Sequence, residues 1–97
     1  MVLEIALIPI ASERSKEFEA VVAASLVDLF PLSPGFIRGE LRKGVEQSGT
    51  YALLLEWRAI EDHAETFVNS PLFARWVQLT EGMASGDASV LHWESID

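Results

Sequence analysis

Ninety-seven residues, 49% of them apolar, make one domain over 1–97 with a single core. The chain has no cysteine, which excludes disulfides, thiolate catalysis, zinc ribbons and iron–sulfur clusters. Fifteen acidic against seven basic residues give a net charge of −8, so nucleic acid is repelled, and no apolar run is long enough to span a membrane.

Residues 2–10 (VLEIALIPI) are short, rich in Ile, Leu and Val, and interrupted by Pro9; they read as a strand. The start Met1-Val-Leu-Glu-Ile lacks the basic opening of a secretion signal, and the expected location is the cytoplasm. Ser12 is placed to cap a helix, and Glu13 suits the positive end of its dipole. Phe18, Val21, Val22, Ser25, Leu26 and Leu29 recur at helical spacing and predict a helix over about 13–30. Pro31 and Ser33-Pro34-Gly35 end it.

Residues 36–46 and 50–58 alternate, with Gln47-Ser48-Gly49 between them, and predict a hairpin. A short helix follows from about Ile60 to Val68. Ser70-Pro71 then gives a strong helix start, with Leu72, Phe73, Trp76 and Leu79 on its buried stripe. Residues 88–95 form the last strand. The order β-α-β-β-α-α-β is an α+β, ferredoxin-like pattern: a four-stranded antiparallel sheet with helices on one face.

The phase of alternation assigns Leu3, Ile5, Leu7, Ile37, Leu41, Tyr51, Leu53, Leu55, Trp57, Leu91 and Trp93 to the helix side. It assigns Glu4, Ala6, Ile8, Arg38, Glu40, Arg42, Ala52, Leu54, Glu56, Arg58, His92 and Glu94 to the other side. Such a blend of apolar and charged residues suits neither open water nor a dry core. It suits a partly wet interface with a second copy of the chain, with His92 among the contacts and cross-strand charge pairs among Arg38, Arg42, Arg58, Glu4, Glu40 and Glu56.

From Glu56 onward, EWRAIEDHAETFVNSPLFARWVQL resembles the signature region of the antibiotic biosynthesis monooxygenase family. The resemblance is carried by Trp57, Glu61-Asp62-His63, Phe67, Ser70-Pro71, Phe73 and Trp76, with VLHWE like the family's last strand. It implies a dimeric α/β barrel. Members of this family include cofactor-independent oxygenases of aromatics, quinol oxidisers and haem-degrading enzymes. Where the haem-degrading branch carries an iron-binding histidine, this chain has Val77, so haem is not expected. Ala59 stands where relatives often have a capping serine.

Oxygen chemistry without metal or flavin needs a flat apolar cavity, a base and exclusion of water, so that the substrate itself supplies the electrons. His63, in the first turn of its helix, is the candidate catalytic base, as a neutral imidazole with a near-neutral pKa. Tyr51, Trp57, Phe67, Phe73, Trp76 and Trp93 are the candidate substrate cradle between sheet and helices, though all serve equally well as core. Two histidines without nearby carboxylate spacing do not predict a metal site, and no GxGxxG or P-loop predicts a nucleotide cofactor. Three functions stay open. One is a cofactor-independent monooxygenase of a small aromatic or quinol-like molecule. The others are a non-catalytic dimer binding a small hydrophobic ligand, and an isomerase or lyase on the same scaffold. The expected partners are a second copy of the chain and a small aromatic molecule.

Overall fold

In the computed structural model, which describes residues 1–96, four strands form one antiparallel sheet. They are β1 (Val2–Pro9), β2 (Phe36–Lys43), β3 (Thr50–Trp57) and β4 (Ser89–Glu94), in the order β2-β3-β1-β4. Helix α1 (Ser15–Asp28) connects β1 to β2; a π-helical turn (Asp62–Phe67) and helix α2 (Pro71–Leu79) connect β3 to β4. This is the ferredoxin-like α+β arrangement expected from the element order.

Local chemistry sets the boundaries. The β2–β3 hairpin closes where the Gly44 amide donates to the Thr50 carbonyl (2.8 Å) and the Thr50 amide to Gln47 (2.9 Å), so β2 stops at Lys43 rather than running to Glu46. Ser12 does not cap α1. It opens a separate 3-10 turn (Ser12–Arg14), and the Ser15 hydroxyl donates to its carbonyl at 2.8 Å. The α1 stripe is as the spacing requires: Phe18, Val22, Ser25 and Leu29 are buried, with Val21 and Leu26 packed beside them.

The helix-facing side of the sheet is fixed by β3, whose Tyr51, Leu53, Leu55 and Trp57 are all buried. The ladder then dictates the rest. Ile8, Ala6, Glu4 and Val2 of β1 lie opposite these four residues, and Val90, His92 and Glu94 of β4 lie opposite Ala6, Glu4 and Val2. This corrects the alternation phase for two strands. Glu4, Ala6, Ile8, His92 and Glu94 belong to the helix side, while Leu3, Ile5, Leu7, Leu91 and Trp93 lie on the open side with Ala52, Leu54 and Glu56. The reason is physical: apart from Glu4, β1 is apolar in both phases, so the single carboxylate suggests the open side, but pairing with β3 decides the face. Ile37 is also displaced. An irregularity between Phe36 and Arg38 removes it from the ladder, and Phe36 packs on Phe30 and Trp57 instead.

Candidate functional site

Between the sheet and the β3–β4 connection lies a cavity of about 140 Å³. Its walls are Phe30, His63, Phe67, Phe73 and Trp76, and Glu4, Ala6, Leu53 and Leu55 of the sheet form its floor. The rings brace one another: Phe30 meets Trp76 at 5.1 Å and Phe67 at 5.6 Å, and Phe73 meets Phe67 edge-on at 5.8 Å.

The π-helical turn places the polar wall. Its defining bond runs from the Val68 amide to the His63 carbonyl (3.1 Å), five residues back. Asp62 anchors the start of this turn, its carboxylate accepting from the Ala59 amide at 3.0 Å and from Arg58 at 3.3 Å. This is the reciprocal half of a capping box, in which the carboxylate three residues on reaches back to the amide of residue 59; the half that a serine at 59 would supply is missing. At the other end the Ser70 hydroxyl donates to the Phe67 carbonyl (2.7 Å) rather than capping α2. His63 and Phe67, four residues apart, project together onto the sheet with rings 6.1 Å apart.

Glu4, His63 and His92 form a linear chain. The Trp57 indole donates to Glu4 Oε1 at 3.0 Å, the same oxygen stands 3.4 Å from His63 Nε2, and His63 Nδ1 lies 2.8 Å from His92 Nε2. Trp57, fully buried, stacks on His63 at 5.4 Å and holds the imidazole plane. Burial pushes the Glu4 carboxyl up to about 7, against the opposing effect of the Trp57 hydrogen bond. Burial, with His92 adding to it, pushes His63 down to about 4. The imidazole is therefore neutral, but it does not titrate near neutrality as the helix-dipole argument suggests. Glu4 and His92 address opposite edges of the His63 ring, so the three do not converge on one point. Among the described residues no cluster of three or more such side chains is arranged to hold a metal ion.

The structure brings His63, Phe67, Phe73 and Trp76 to one cavity. Trp57 stands behind it as the Glu4 donor. Tyr51 is buried elsewhere, its hydroxyl on Glu19 and its ring against Phe18. Trp93 lies on the open face, 54% exposed, and lines no part of the cavity. His92, expected at a subunit interface, is on the helix side bonded to His63. Glu4 was not among the expected site residues. Its signal was a single carboxylate inside VLEIALIPI, on a strand that the ferredoxin order sets beside the strand carrying His92.

Fold and cavity together define a small ferredoxin-like α+β domain with a ring-lined space between sheet and helices. Residues 1–79 match the antibiotic biosynthesis monooxygenase family, and the chain belongs to it. It is 29% identical over 96 residues to YczJ of Bacillus subtilis, an uncharacterised protein, covering 99% of this chain and 100% of YczJ. A Bordetella bronchiseptica structure provisionally assigned as an antibiotic biosynthesis monooxygenase superposes with a TM-score of 0.92 at 27% identity, covering 98% of this chain and 96% of that one. A Caulobacter crescentus structure with the same provisional assignment superposes at 0.84 with 14% identity, covering 99% and 90%, and shares the fold.

Proposed function

We propose that the protein is a cofactor-independent monooxygenase of a small monocyclic phenol or quinol. The observation that carries this reading is the cavity of about 140 Å³, walled by aromatic rings with one carboxylate on its floor. An apolar cavity of about 150 Å³ accepts benzene, so the space suits one ring and not a fused polycyclic system. With a phenol the reaction balances without an external reductant: phenol and dioxygen give a quinone and water, and the substrate supplies every electron. Removal of the hydroxyl proton makes the ring electron-rich enough to reduce oxygen, and the surrounding rings keep water away.

The partner in this reading is a second copy of the chain, docked on the open side of the sheet. Leu3, Ile5, Leu7, Leu54, Leu91 and Trp93 support it, forming an apolar field on a face that none of the chain's helices covers.

The test is oxygen uptake by the purified protein with phenol, catechol or hydroquinone, without added metal or flavin. Uptake with quinone formation is expected, and naphthalene diols should react far more slowly. The cavity is smaller than a typical ligand pocket of about 300–1,000 Å³, which favours a non-catalytic dimer as the second reading. Absence of phenol binding by calorimetry would establish that alternative, and turnover that persists under nitrogen would point to an isomerase or lyase.

A further inference from the structure

We infer that the Glu4 carboxylate, not an imidazole, takes the hydroxyl proton of a ring seated in the cavity, and that His63 and His92 form the path by which this proton reaches the surface. The inference rests on the proposed phenol or quinol substrate and assigns the proton chemistry of that site. Three geometric facts carry it. Glu4 is part of the cavity floor, while His92 is not among the cavity's walls. Oε1 takes the Trp57 hydrogen bond and faces His63, and Oε2 has no hydrogen-bond partner among the described residues. His63 Nδ1 is bonded to His92 at 2.8 Å and His63 Nε2 faces Glu4 Oε1 at 3.4 Å, which leaves Glu4 Oε2 as the free acceptor at the cavity.

The chain has two complementary protonation patterns. With Glu4 ionised, His63 Nε2–H points at Oε1, and His92 Nε2–H donates to the bare His63 Nδ1. With Glu4 protonated, its O–H points at bare His63 Nε2, and His63 Nδ1–H donates to His92 Nε2. Passing between them moves one proton across the chain without leaving a charge on His63. In turnover the substrate O–H bond breaks and an O–H bond forms on Glu4. Protonated Glu4 favours the second pattern, which the two histidines reach by each losing the hydrogen on Nε2 and gaining one on Nδ1 in exchange with water; rotation of the carboxyl then passes the new hydrogen to the bare His63 Nε2. The proton on His63 Nδ1 then moves to His92 Nε2, and His92, half-buried on the edge strand β4, releases one from Nδ1 to solvent. Charge and atoms balance, and Glu4 is again a carboxylate.

Few other groups interfere. The remaining cavity walls are apolar. Asp62, beside His63, is tied to the Ala59 amide and Arg58. Glu94 shares the helix side with His92 but lies opposite Val2, at the exposed end of β4. The rise of the Glu4 pKa to about 7 agrees with a proton acceptor working near neutrality.

The experiment follows the histidine tautomers by nitrogen-15 NMR in the ligand-free protein from pH 5 to pH 9, in wild type and in Glu4→Gln. In wild type His63 should pass from Nδ1–H to Nε2–H as Glu4 ionises, with His92 switching in step. In Glu4→Gln, where the side chain does not titrate and its carbonyl still accepts from Trp57, that switch should vanish. Phenol oxidation, measured in parallel, should fall at least 100-fold in Glu4→Gln while phenol binding persists. A His63 tautomer that ignores pH in wild type, or Glu4→Gln oxidising phenol at the wild-type rate, overturns the inference. The tautomer measurement needs no turnover, so a wild type that binds phenol yet consumes no oxygen strikes the oxygenase reading alone.

Discussion

Glu4 is a carboxylate 5% exposed at the centre of a sheet face, and that position has a thermodynamic cost that depends on pH. Its folded-state pKa of about 7 lies above the ordinary 4.5. Between those values the folded chain holds a proton that the unfolded chain has lost, so stability falls as pH rises from about 4.5 to 7. The full difference is about 3 kcal/mol. His63 has the opposite sign: its folded-state pKa of about 4 is below 6.5, so stability falls as pH drops from 6.5 toward 4. In the overlap the two slopes cancel and the pair contributes a plateau. Glu4→Gln isolates the carboxyl. Its stability advantage over wild type should be small at pH 5 and grow to about 3 kcal/mol by pH 8, read as urea midpoints of both proteins at both pH values. A gap that stays constant would mean that Glu4 titrates like an ordinary surface carboxylate.

At the level of elements, the site depends on how the π-helical turn is held against the β1–β3 pair. Gly35 is the hinge of that arrangement. Its φ of +84° is a left-handed conformation, and a Cβ built on it would fall 2.2 Å from Asp62 Cγ. Its carbonyl also accepts from the Arg58 amide at 2.7 Å. Gly35→Ala therefore meets backbone strain and displaces the Asp62 carboxylate from the Ala59 amide and Arg58. A loss of about 2–4 kcal/mol is expected by chemical denaturation. Gly35→Asn tests the cause: asparagine tolerates the backbone angle but brings the same Cβ, so it should recover little of that loss. Much of this layer was legible in the sequence. The α1 stripe, the hairpin around Gln47-Ser48-Gly49, and the Ser70-Pro71 start of α2 follow from spacing and turn chemistry. That His63, Phe67, Phe73 and Trp76 line one space was legible because they sit on one continuous segment. Glu4 and His92 were not, since they lie on separate strands far apart in the chain and only the pairing of β1 with β4 brings them together. The phase of β1 was hidden for a related reason: Leu3-Ile5-Leu7 and Ala6-Ile8-Ile10 are both apolar series, and the choice between them belongs to β3.

Across the whole molecule, the corrected register changes what the open side of the sheet offers. Reading along the ladder, one row runs Arg38, Glu56, Leu3, Trp93; the next runs Glu40, Leu54, Ile5, Leu91; the third runs Arg42, Ala52, Leu7, Ser89. Charge is gathered toward β2, where Arg38 pairs with Glu56 at 2.6 Å, and the apolar side chains fill the middle and the β4 edge. Leu91 and Trp93 are each more than half exposed in the single chain, although a ferredoxin-like sheet has helices enough for one side only. An apolar centre with a charged border is the usual anatomy of a protein interface. A face of this kind left in water would promote indiscriminate association. Docked against its twin, it would supply burial that a domain this small otherwise lacks. Light scattering coupled to size exclusion should accordingly give twice the chain mass at micromolar concentration. Leu54→Arg places an unpaired cation at the centre of the field and should give a monomer, because a desolvated lone charge costs several kcal/mol. Arg38→Ala, at the border, should leave the dimer intact, since exposed ion pairs contribute about 0–1 kcal/mol. A wild-type protein that elutes at the mass of one chain would remove the second copy from the account, and the exposed Trp93 and Leu91 would then need a different partner.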